Sequence, residues 1–382
     1  MVDFFQSFFQ SFFHALSNPG VFVHLLLWLV GYFLLFRITL LSDKEGEPIT
    51  KARLSVIIPA RNESERLPAL LSSLRIQTCP PEEVIVVDDQ SEDDTAQIAR
   101  RFGARVISSQ ALPPGWVGKT WACHQGAKAA SGDLFLFLDA DVFLERTALQ
   151  RILRTFDETK GVLSIQPYHE VKKPYEQLSA VFNLIQLAAS SAFTFKGDAV
   201  VNKRLFGPTL LVSKENYTKS GGHEAVRDRV LENFFMSKMY IQHQIAIHCF
   251  SGCGAVSFRM YPNGLYELIQ GWTKGFTAGA GGTSPLILIG IVAWLTGALG
   301  TARHLVMDLF IGPTGTVSVF LLLYLLYAFQ IRGYLGKAGR FHGLTAILYP
   351  IPVCFFIFVF LGSLVYRVTG HRFIWKGRRL SR

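Results

Sequence analysis

The stretch LSVIIPARNE, residues 54–63, decides the fold of the central part of the chain. It opens with an apolar, β-branched run that ends at Pro59, which is typical of a buried strand of a parallel sheet followed by a loop. Apolar residues at 67, 70, 71 and 74 then predict a helix. EEVIVVDDQSEDDT (82–95) predicts a second strand that ends in acidic residues, so the unit is strand, helix, strand.

The same alternation continues along the chain. TAQIARRFG and WACHQGAKAAS predict helices, and ARVIS and DLFLFLDADV predict strands. Strands that alternate with helices favour an α/β fold with a doubly wound, mostly parallel sheet and right-handed crossovers. Ligands of such sheets bind at the carboxyl ends of the strands. We therefore expect the acidic strand ends Asp88, Asp89, Asp139 and Asp141 to converge on one site.

The composition indicates a membrane enzyme. Of 382 residues, 50% are hydrophobic and 17% are charged, and the charges gather in the middle of the chain. The net charge of +10 is explained better by anionic lipid headgroups than by nucleic acid, and we expect no nucleic-acid partner. The five cysteines form no CxxC pair, which fits a reduced, cytoplasmic domain.

The amino-terminal segments predict membrane contact. Phenylalanine pairs at 4–5, 8–9 and 12–13 predict an amphipathic interfacial helix over residues 1–20, with an ordinary lipid-embedded or packing helix as the alternative. Residues 21–42 are apolar enough to span a bilayer. Because the chain has no Lys or Arg before Arg37, we interpret this segment as an uncleaved anchor rather than a signal peptide.

Apolar runs return near the carboxyl end. Residues 271–284 predict an interfacial segment, 285–367 predict transmembrane or re-entrant helices, and 368–382 predict a basic cytoplasmic tail. The positive-inside rule places the basic residues of both 331–340 and 371–382 in the cytoplasm. Either the segment with Pro350 and Pro352 is re-entrant, or one basic stretch lies outside.

The motif FLFLDADVF (135–143) places Asp139 and Asp141 at the end of an apolar strand. Carboxylates are unfavourable there unless a cation joins them. Mg²⁺ and Mn²⁺ favour carboxylate and phosphate oxygens, so the pair predicts a divalent metal that also binds a diphosphate. The alternative is a solvent-exposed strand end.

With this Asp-x-Asp motif, PARNE (59–63) and VVDDQSEDDT (86–95) resemble the inverting glycosyltransferases of family 2. The resemblance implies a cytoplasmic GT-A domain over residues 50–270 and a nucleotide-sugar donor. Asn62 and Glu63 have an alternative role as helix caps, and Asp93 and Asp94 as a solvated helix start. The resemblance implies that Asp139 and Asp141 bind the metal and the diphosphate. It also implies that the uridine is bound by Pro59, Ala60, Asn62, Glu63, Asp88 and Asp89.

Lys119 lies in the stretch GWVGKTWACH (115–124), between the two acidic strand ends. In the setting of this family, we expect its positive charge to lie against the diphosphate. Gly115 and Gly118 would allow the backbone to approach the phosphates. The alternative is a solvated lysine on a surface loop.

Two family motifs are altered in this chain. Family 2 enzymes of this kind carry a Glu-Asp pair whose Asp is the general base, and here the pair is Glu232-Asn233. Because Asn takes no proton, the catalytic role falls to Glu232 or to Asp228. In place of a Gln-x-x-Arg-Trp element the chain has Gln270, Trp272 and Lys274, expected at the nucleotide diphosphate. Trp272 has an alternative as a membrane-interface aromatic and Lys274 as a headgroup contact.

FGPTLLVSKENY (206–217), SGGH (220–223), GWTKGFTAGAGGT (271–283) and WKGR (375–378) are similar to the bacterial 4,4'-diaponeurosporenoate glycosyltransferase family. That resemblance implies transfer of glucose from UDP-glucose to the carboxyl group of a C30 carotenoid acid. It also implies a multi-pass enzyme of the bacterial cell membrane, with membrane lipids as partners.

Under the same resemblance we expect Gly207, His223 and Trp272 to contact the acceptor, although His223 has an alternative as a locally hydrogen-bonded turn residue. An acceptor such as a hopanoid, diacylglycerol or polyprenyl phosphate remains open. So does a noncatalytic nucleotide-sugar-binding membrane protein.

Overall fold

The computed structural model describes residues 19–44, 51–197, 200, 203–229, 232–279, 283–311, 314–369, 374–375 and 378–379. Almost all of the interfacial helix predicted for residues 1–20 lies outside these residues. Of the basic tail predicted for 368–382, only the end of the last long helix and two short strands are described.

Strands and helices alternate through the central part of the chain, as the sequence predicts. The strands are β1 (Leu54–Ala60), β2 (Glu83–Asp88), β3 (Arg105–Ser108), β4 (Leu134–Leu138), β5 (Val142–Leu144), β6 (Val162–Gln166), β7 (Tyr168–His169), β8 (Thr209–Ser213), β9 (Ile247–Ser251), β10 (Val256–Phe258), β11 (Ile374–Trp375) and β12 (Arg378–Arg379). The helices are α1 (Pro19–Leu34), α2 (Leu67–Arg75), α3 (Thr95–Arg101), α4 (Gly118–Ala129), α5 (Ala148–Thr159), α6 (Ala180–Ala189), α7 (Lys214–Lys219), α8 (Glu232–Gln242), α9 (Leu265–Gly279), α10 (Pro285–Ile311), α11 (Thr314–Ala338), α12 (Gly343–Ile347) and α13 (Pro350–Thr369). Short 3-10 helices span Pro174–Ser179 and Gly222–Val226.

Seven strands form the central sheet, in the order β3-β2-β1-β4-β8-β6-β9. The first four are parallel, and β6 and β9 are parallel to each other. Only β8 runs antiparallel to its neighbours, β4 and β6. The sheet is therefore mostly parallel, with helices on both faces, which confirms the predicted fold class.

The strands are apolar because both faces of the sheet are covered. Val56, Ile57 and Ile58 of β1 are fully buried in succession, and they face opposite sides of the sheet. Ile57 belongs to a core that continues into the carboxyl-terminal helices, whereas Val56 and Ile58 belong to a second core beneath α2 and α5. The first core joins the sheet domain to the long apolar helices.

The segment after α1 differs from the prediction of one helix over residues 21–42. The helix ends at Leu34, and its 16 described residues are shorter than a typical spanning helix. The next residues instead pair with the sheet domain, where Arg37 N donates to Phe193 O and Ser251 N donates to Thr39 O. These backbone groups bond to the sheet domain instead of within a helix, so the segment after Leu34 is not helical.

Within the described residues, two helices, α10 and α11, are long and apolar enough to cross a membrane. Helix α1 is apolar but shorter than these two helices, and α13 is apolar over only part of its length. Pro350 and Pro352 lie in the first turn of α13, where a missing backbone N–H is tolerated, and they do not interrupt it. Helix α9 crosses the boundary that the sequence predicted at residue 271.

Candidate active site

Three strand ends bring the predicted acidic residues to one edge of the sheet. In the parallel pair of β1 and β2, Ala60 lies beside Asp88, and Asp89 N donates to Ala60 O at 2.8 Å. On the other side of β1, strand β4 ends just before Asp139, whose backbone N donates to Pro208 O at 2.9 Å. Asp89 and Asp141 line the same large cavity at this edge.

The loop after β1 is tied to the loop after β2. Asn62 adopts a left-handed backbone conformation with φ of 51°, and its side-chain oxygen accepts a hydrogen bond from Glu92 N at 2.8 Å. Glu63 N donates to Thr95 Oγ1 at 2.8 Å. The Asn62 side chain thus joins the two loops, and the backbone of Glu63 is fixed to the start of α3.

Asp93 acts at the start of α3. Its carboxylate accepts hydrogen bonds from the backbone N–H groups of Ser64 and Thr95, each at 3.0 Å. Burial opposes the charge of Asp93, but these bonds and those of the Ser64 and Thr95 side chains outweigh burial and lower its pKa to about 2. Asp93 therefore lies at the start of α3, as its alternative of a solvated helix start predicts, and its carboxylate also binds backbone N–H groups there.

Lys119 lies in the first turn of α4 and pairs with two carboxylates. Its Nζ atom is 2.7 Å from Asp139 Oδ1 and 3.2 Å from Glu232 Oε1. Burial opposes its charge, but the two carboxylates outweigh burial and raise the pKa of Lys119 well above its usual value. The structure therefore places an ion-paired ammonium group at the end of β4, and not a solvated lysine on a surface loop.

The aromatic residues of GWVGKTWACH hold the frame around Lys119. The Trp116 ring packs against Trp121 and His124, with ring centres 4.8 and 4.9 Å apart. Trp121 Nε1 donates to Gln110 O at 3.1 Å, and Val117 N donates to Arg227 O at 2.8 Å. These contacts fix the start of α4 and therefore the position of Lys119.

Glu232 and Asn233 act as a pair at the start of α8. Glu232 is 5% exposed, and Asn233 Nδ2 donates to Glu232 Oε1 at 2.9 Å. Gly207 lies against this amide, because a Cβ at Gly207 would be 2.8 Å from Asn233 Nδ2. The other candidate base, Asp228, is exposed and pairs with Arg229 at 3.1 Å. Of the two candidates, Glu232 is the one that contacts Lys119.

Asp141 supplies the observation that bears on a metal ion. Burial, followed by the negative charges of Asp139 and Glu63, raises its pKa to about 6. Among the described residues, no group of three or more His, Cys, Asp or Glu side chains is arranged to hold a metal. The excess negative charge fits a Mg²⁺ or Mn²⁺ ion that takes one or two carboxylates here and its other ligands from phosphate oxygens and water.

The predicted element on α9 lies in the wall of the large cavity. Gln270, Trp272 and Lys274 all line this cavity. Trp272 is 1% exposed, stacks on Phe182 with ring centres 4.7 Å apart and donates from Nε1 to Ser179 Oγ at 3.0 Å. Trp272 therefore packs into the core as part of the cavity wall, which differs from a membrane-interface aromatic.

His223 is buried in its turn. Its Nδ1 shares a hydrogen bond with the Tyr217 hydroxyl at 2.9 Å, and its backbone N donates to the same oxygen at 3.1 Å. Burial, with a smaller effect of the Lys119 charge, lowers the pKa of His223 to about 3, so the ring is neutral. These contacts match its alternative as a locally bonded turn residue, although the ring also lines a space of about 10 Å³ beside Lys119 and Glu232.

A cavity of about 1570 Å³ connects this edge of the sheet with the apolar helices. Its polar part includes Lys119, Asp141 and Glu232. Its apolar part includes side chains of α10 and α13, such as Leu295 and Phe360. One space therefore joins the charged groups to the apolar helices.

Similarity to known proteins decides the family. Residues 55–204 match the model of Glycosyl transferase family 2. Over 335 residues the chain is 37% identical to the 4,4'-diaponeurosporenoate glycosyltransferase of Staphylococcus aureus strain USA300, which covers 86% of this chain and 88% of that protein. The protein of the same name from strain MRSA252 matches with the same identity and coverage. The chain belongs to glycosyltransferase family 2.

The fold of this family 2 glycosyltransferase is also that of a solved archaeal enzyme. The mannosyltransferase PcManGT from Pyrobaculum calidifontis, solved in complex with GDP-Man and Mn²⁺, superimposes with a TM-score of 0.50 and 17% sequence identity. The match covers 95% of this chain and 97% of that one. At this identity the likeness shows the GT-A-type fold alone.

Sequence reasoning missed several residues of the site and cavity of this family 2 enzyme, and Asn233 and Arg204 are two of them. Asn233 was noted only as the loss of an acid, but its amide binds Glu232. Arg204 lines the cavity with Glu232 and was not singled out. The position of Asn233 in the motif was a signal for the first, whereas nothing in the sequence around Arg204 distinguishes it from other basic residues.

Proposed function

We propose that this chain is a membrane-bound, inverting glycosyltransferase that transfers glucose from UDP-glucose to the carboxyl group of a C30 carotenoid acid and forms a glucosyl ester. The relative that is 37% identical is named for the acceptor 4,4'-diaponeurosporenoate, and the match extends over 86% of this chain. The donor sugar and the exact acceptor are part of the proposal.

The cavity is the observation that carries the proposal. An acceptor with a long apolar chain and a polar end needs a site that is apolar along most of its length and polar where the reaction occurs. The cavity of about 1570 Å³ has this form, because Lys119 and Glu232 lie at one part and the α10 and α13 side chains at another. A wholly water-soluble acceptor would not require the apolar part.

The membrane helices support delivery of such an acceptor from lipid. We propose that α10 and α11 cross the bacterial cell membrane in a multi-pass arrangement, and that the sheet domain faces the cytoplasm. Free cysteines in the sheet domain are consistent with a reducing compartment. Membrane lipids would then surround the exposed apolar side chains of α10, such as Leu286, Ile289 and Phe310.

The donor is proposed to bind across the ends of β1, β2 and β4. The residues assigned to the uridine are those at the ends of β1 and β2, and Lys119 at the start of α4 is assigned to the diphosphate, where the helix N-terminus also favours an anion. Gln270 and Lys274 line the adjoining cavity wall. A Mg²⁺ or Mn²⁺ ion held by Asp139 and Asp141 would offset negative charge on the diphosphate as it leaves.

A carboxylic acid acceptor needs no general base to remove its proton before it reacts. With a pKa near that of Asp or Glu, about 4, the acceptor is ionised at neutral pH. One carboxylate oxygen forms a bond to the anomeric carbon while the bond from that carbon to the diphosphate oxygen breaks, and UDP leaves. Lys119 would stabilise the charge that develops on UDP. Glu232 would hold Lys119 and shape the approach of the acceptor.

A product assay with a panel of acceptors tests the proposal. Purified protein in lipid nanodiscs receives UDP-glucose and, in separate reactions, 4,4'-diaponeurosporenoate, a hopanoid, diacylglycerol and polyprenyl phosphate. Liquid chromatography with mass spectrometry is expected to find glucose on the carotenoid acid. Glucose found only on another lipid, or release of UDP with none of them, would contradict the proposed acceptor.

A further inference from the structure

Tyr261 lies just after β10 and has an unusual backbone conformation. Its φ angle is 56°, in the left-handed region that a bulky residue rarely adopts. The Tyr261 side chain lines the large cavity, as Asp141 does. Because strained residues of this kind cluster at functional sites, a left-handed tyrosine in the wall of a candidate active site indicates a role for its side chain.

The 3-10 helix Pro174–Ser179 holds the backbone around Tyr261. The Tyr175 hydroxyl donates to Tyr261 O at 2.8 Å. Two residues earlier, the Arg259 guanidinium pairs with the fully buried carboxylate of Glu176 at 2.6 Å. A left-handed conformation persists only where the surrounding structure enforces it, and these two contacts do so from one short segment.

The Tyr261 ring is fixed by α9, whereas its hydroxyl is unpaired. The ring lies edge-on to Trp272, with ring centres 5.7 Å apart. It also covers Gly271, where an added Cβ would overlap the ring and lie 2.7 Å from the hydroxyl oxygen. In the part of the chain that the structure describes, no group forms a hydrogen bond with this hydroxyl. The ring is therefore held in place, and its hydroxyl is available to a ligand.

Asp141 is close enough to Tyr261 for its charge to act on the hydroxyl. Burial, followed by the negative charges of Asp141 and Glu267, raises the pKa of Tyr261 well above its usual value. The phenol thus keeps its proton, and it can both donate and accept a hydrogen bond. The hexose of a nucleotide sugar is bonded directly to the diphosphate, to which Asp141 is assigned. A side chain beside Asp141 is therefore within reach of the hexose.

We propose that Tyr261 binds the hexose of the donor, with its hydroxyl hydrogen-bonded to one hydroxyl group of the sugar. This inference rests on the proposed function for the donor, a UDP-hexose. A neutral phenol suits an uncharged sugar, whereas the charged ammonium group of Lys119 suits the diphosphate. A sugar that lacks the matching hydroxyl would leave the phenol unpaired, so Tyr261 acts as a specificity-determining residue on the donor side.

Donor binding by wild type and Tyr261→Phe tests the inference, because phenylalanine keeps the ring and removes only the hydroxyl. Full-length protein in lipid nanodiscs with Mn²⁺ is titrated with UDP and with UDP-glucose in a calorimeter, without acceptor. Loss of one hydrogen bond is expected to weaken binding of UDP-glucose about 3- to 10-fold. Binding of UDP, which carries no sugar, is expected to stay unchanged.

Analogues of UDP-glucose that each lack one sugar hydroxyl identify the partner of Tyr261. Wild type and Tyr261→Phe should bind one of these analogues equally, because the hydroxyl that pairs with Tyr261 is missing from it. The other analogues should still bind more weakly to the variant. If all of them lose affinity in the variant as UDP-glucose does, no sugar hydroxyl pairs with Tyr261 and the inference is wrong.

Tyr168→Phe is the matched control. Tyr168 lies on β7, which pairs with β10 in the same three-stranded sheet, and it is outside the residues that line the large cavity. This variant also removes one phenolic hydroxyl, but not one at the cavity. It should bind both UDP and UDP-glucose like wild type.

The possible outcomes separate the inference from the proposed function. Equal weakening of UDP and UDP-glucose in Tyr261→Phe, or no weakening of either, contradicts the role of Tyr261. Unchanged donor binding with a raised KM for the acceptor contradicts it as well, because it assigns the hydroxyl to the acceptor. Wild type that prefers UDP-galactose or UDP-N-acetylglucosamine, and loses that affinity in Tyr261→Phe while keeping UDP, supports the sugar contact and contradicts glucose as the donor sugar.

Discussion

The ammonium group of Lys119 lies 2.7 Å from a carboxylate oxygen of Asp139, so the first turn of α4 is joined directly to the end of β4. The same ammonium group reaches Glu232 at 3.2 Å. One lysine therefore connects the donor edge of the sheet to the start of α8. The contact also keeps Lys119 protonated and places its charge where a leaving diphosphate is proposed to lie.

Replacement of this lysine tests its proposed role in catalysis. Lys119→Ala is expected to lower kcat about 100- to 1,000-fold, because it removes a cation that stabilises the leaving group. Lys128→Ala, at an exposed position in the last turn of the same helix, is the matched control and should keep full activity. Turnover is measured as UDP release, and circular dichroism checks that both variants are folded. Near-normal kcat in folded Lys119→Ala would remove Lys119 from the mechanism.

Glu232→Gln distinguishes an orienting carboxylate from a general base. A carboxylic acid acceptor has no proton to lose at neutral pH, so its turnover should fall less than about 10-fold, whereas a hydroxyl acceptor that needs a base should lose on the order of 100-fold or more. Initial rates with the C30 acid and with its primary alcohol provide the comparison. About equal losses with both acceptors, each on the order of several hundred-fold, would assign Glu232 to a role independent of the acceptor proton.

Gly207→Ala tests the close contact beside the Glu232 amide partner. The new Cβ would be 2.8 Å from Asn233 Nδ2, so this amide, which is hydrogen-bonded to Glu232, must shift. We expect kcat with the C30 acid to fall about two- to fivefold, no more than in Glu232→Gln, because a small displacement of an orienting group reduces the reactive population. Gly333→Ala on α11, where no atom lies within 4 Å of the added Cβ, is the control for glycine replacement itself. Wild-type kcat in Gly207→Ala would show that Asn233 does not position Glu232.

Metal removal tests the assignment of Asp139 and Asp141. Dialysis against a chelator is expected to abolish UDP release, and Mn²⁺ or Mg²⁺ to restore it, because carboxylate and phosphate oxygens are the ligands of these ions. Asp141→Ala should be inactive with or without added metal while remaining folded. An active Asp141→Ala variant in metal-free buffer would contradict the metal site.

The sequence predicts the sheet domain well because its strands carry a local signal. Runs such as residues 54–60 and 134–138 are apolar on both faces, and acidic residues mark the strand ends. These local patterns also place Lys119 between Asp89 and Asp139 along the chain. The pairing of Lys119 with Glu232 depends on α8, more than 100 residues later, and only the family resemblance pointed to that helix.

Other parts of the structure depend on long-range contacts that periodicity does not contain. The segment after Leu34 continues the apolar run of α1 in the sequence, but its backbone pairs with Phe193 and Ser251. Trp272 reads equally well as an interface aromatic or a ligand cap, and its position is decided by packing on Phe182. Arg204 lines the large cavity, and no local sequence pattern predicts that position.

The isotopic content of the product tests the central claim most directly. The carotenoid acid is labelled with ¹⁸O in both carboxyl oxygens and incubated with unlabelled UDP-glucose, and the products are analysed by mass spectrometry. Direct attack of the carboxylate on the anomeric carbon predicts a glucosyl ester that retains both heavy oxygens, with none in UDP. An ester that has lost one heavy oxygen, or the absence of any glucosylated acid, would contradict the account.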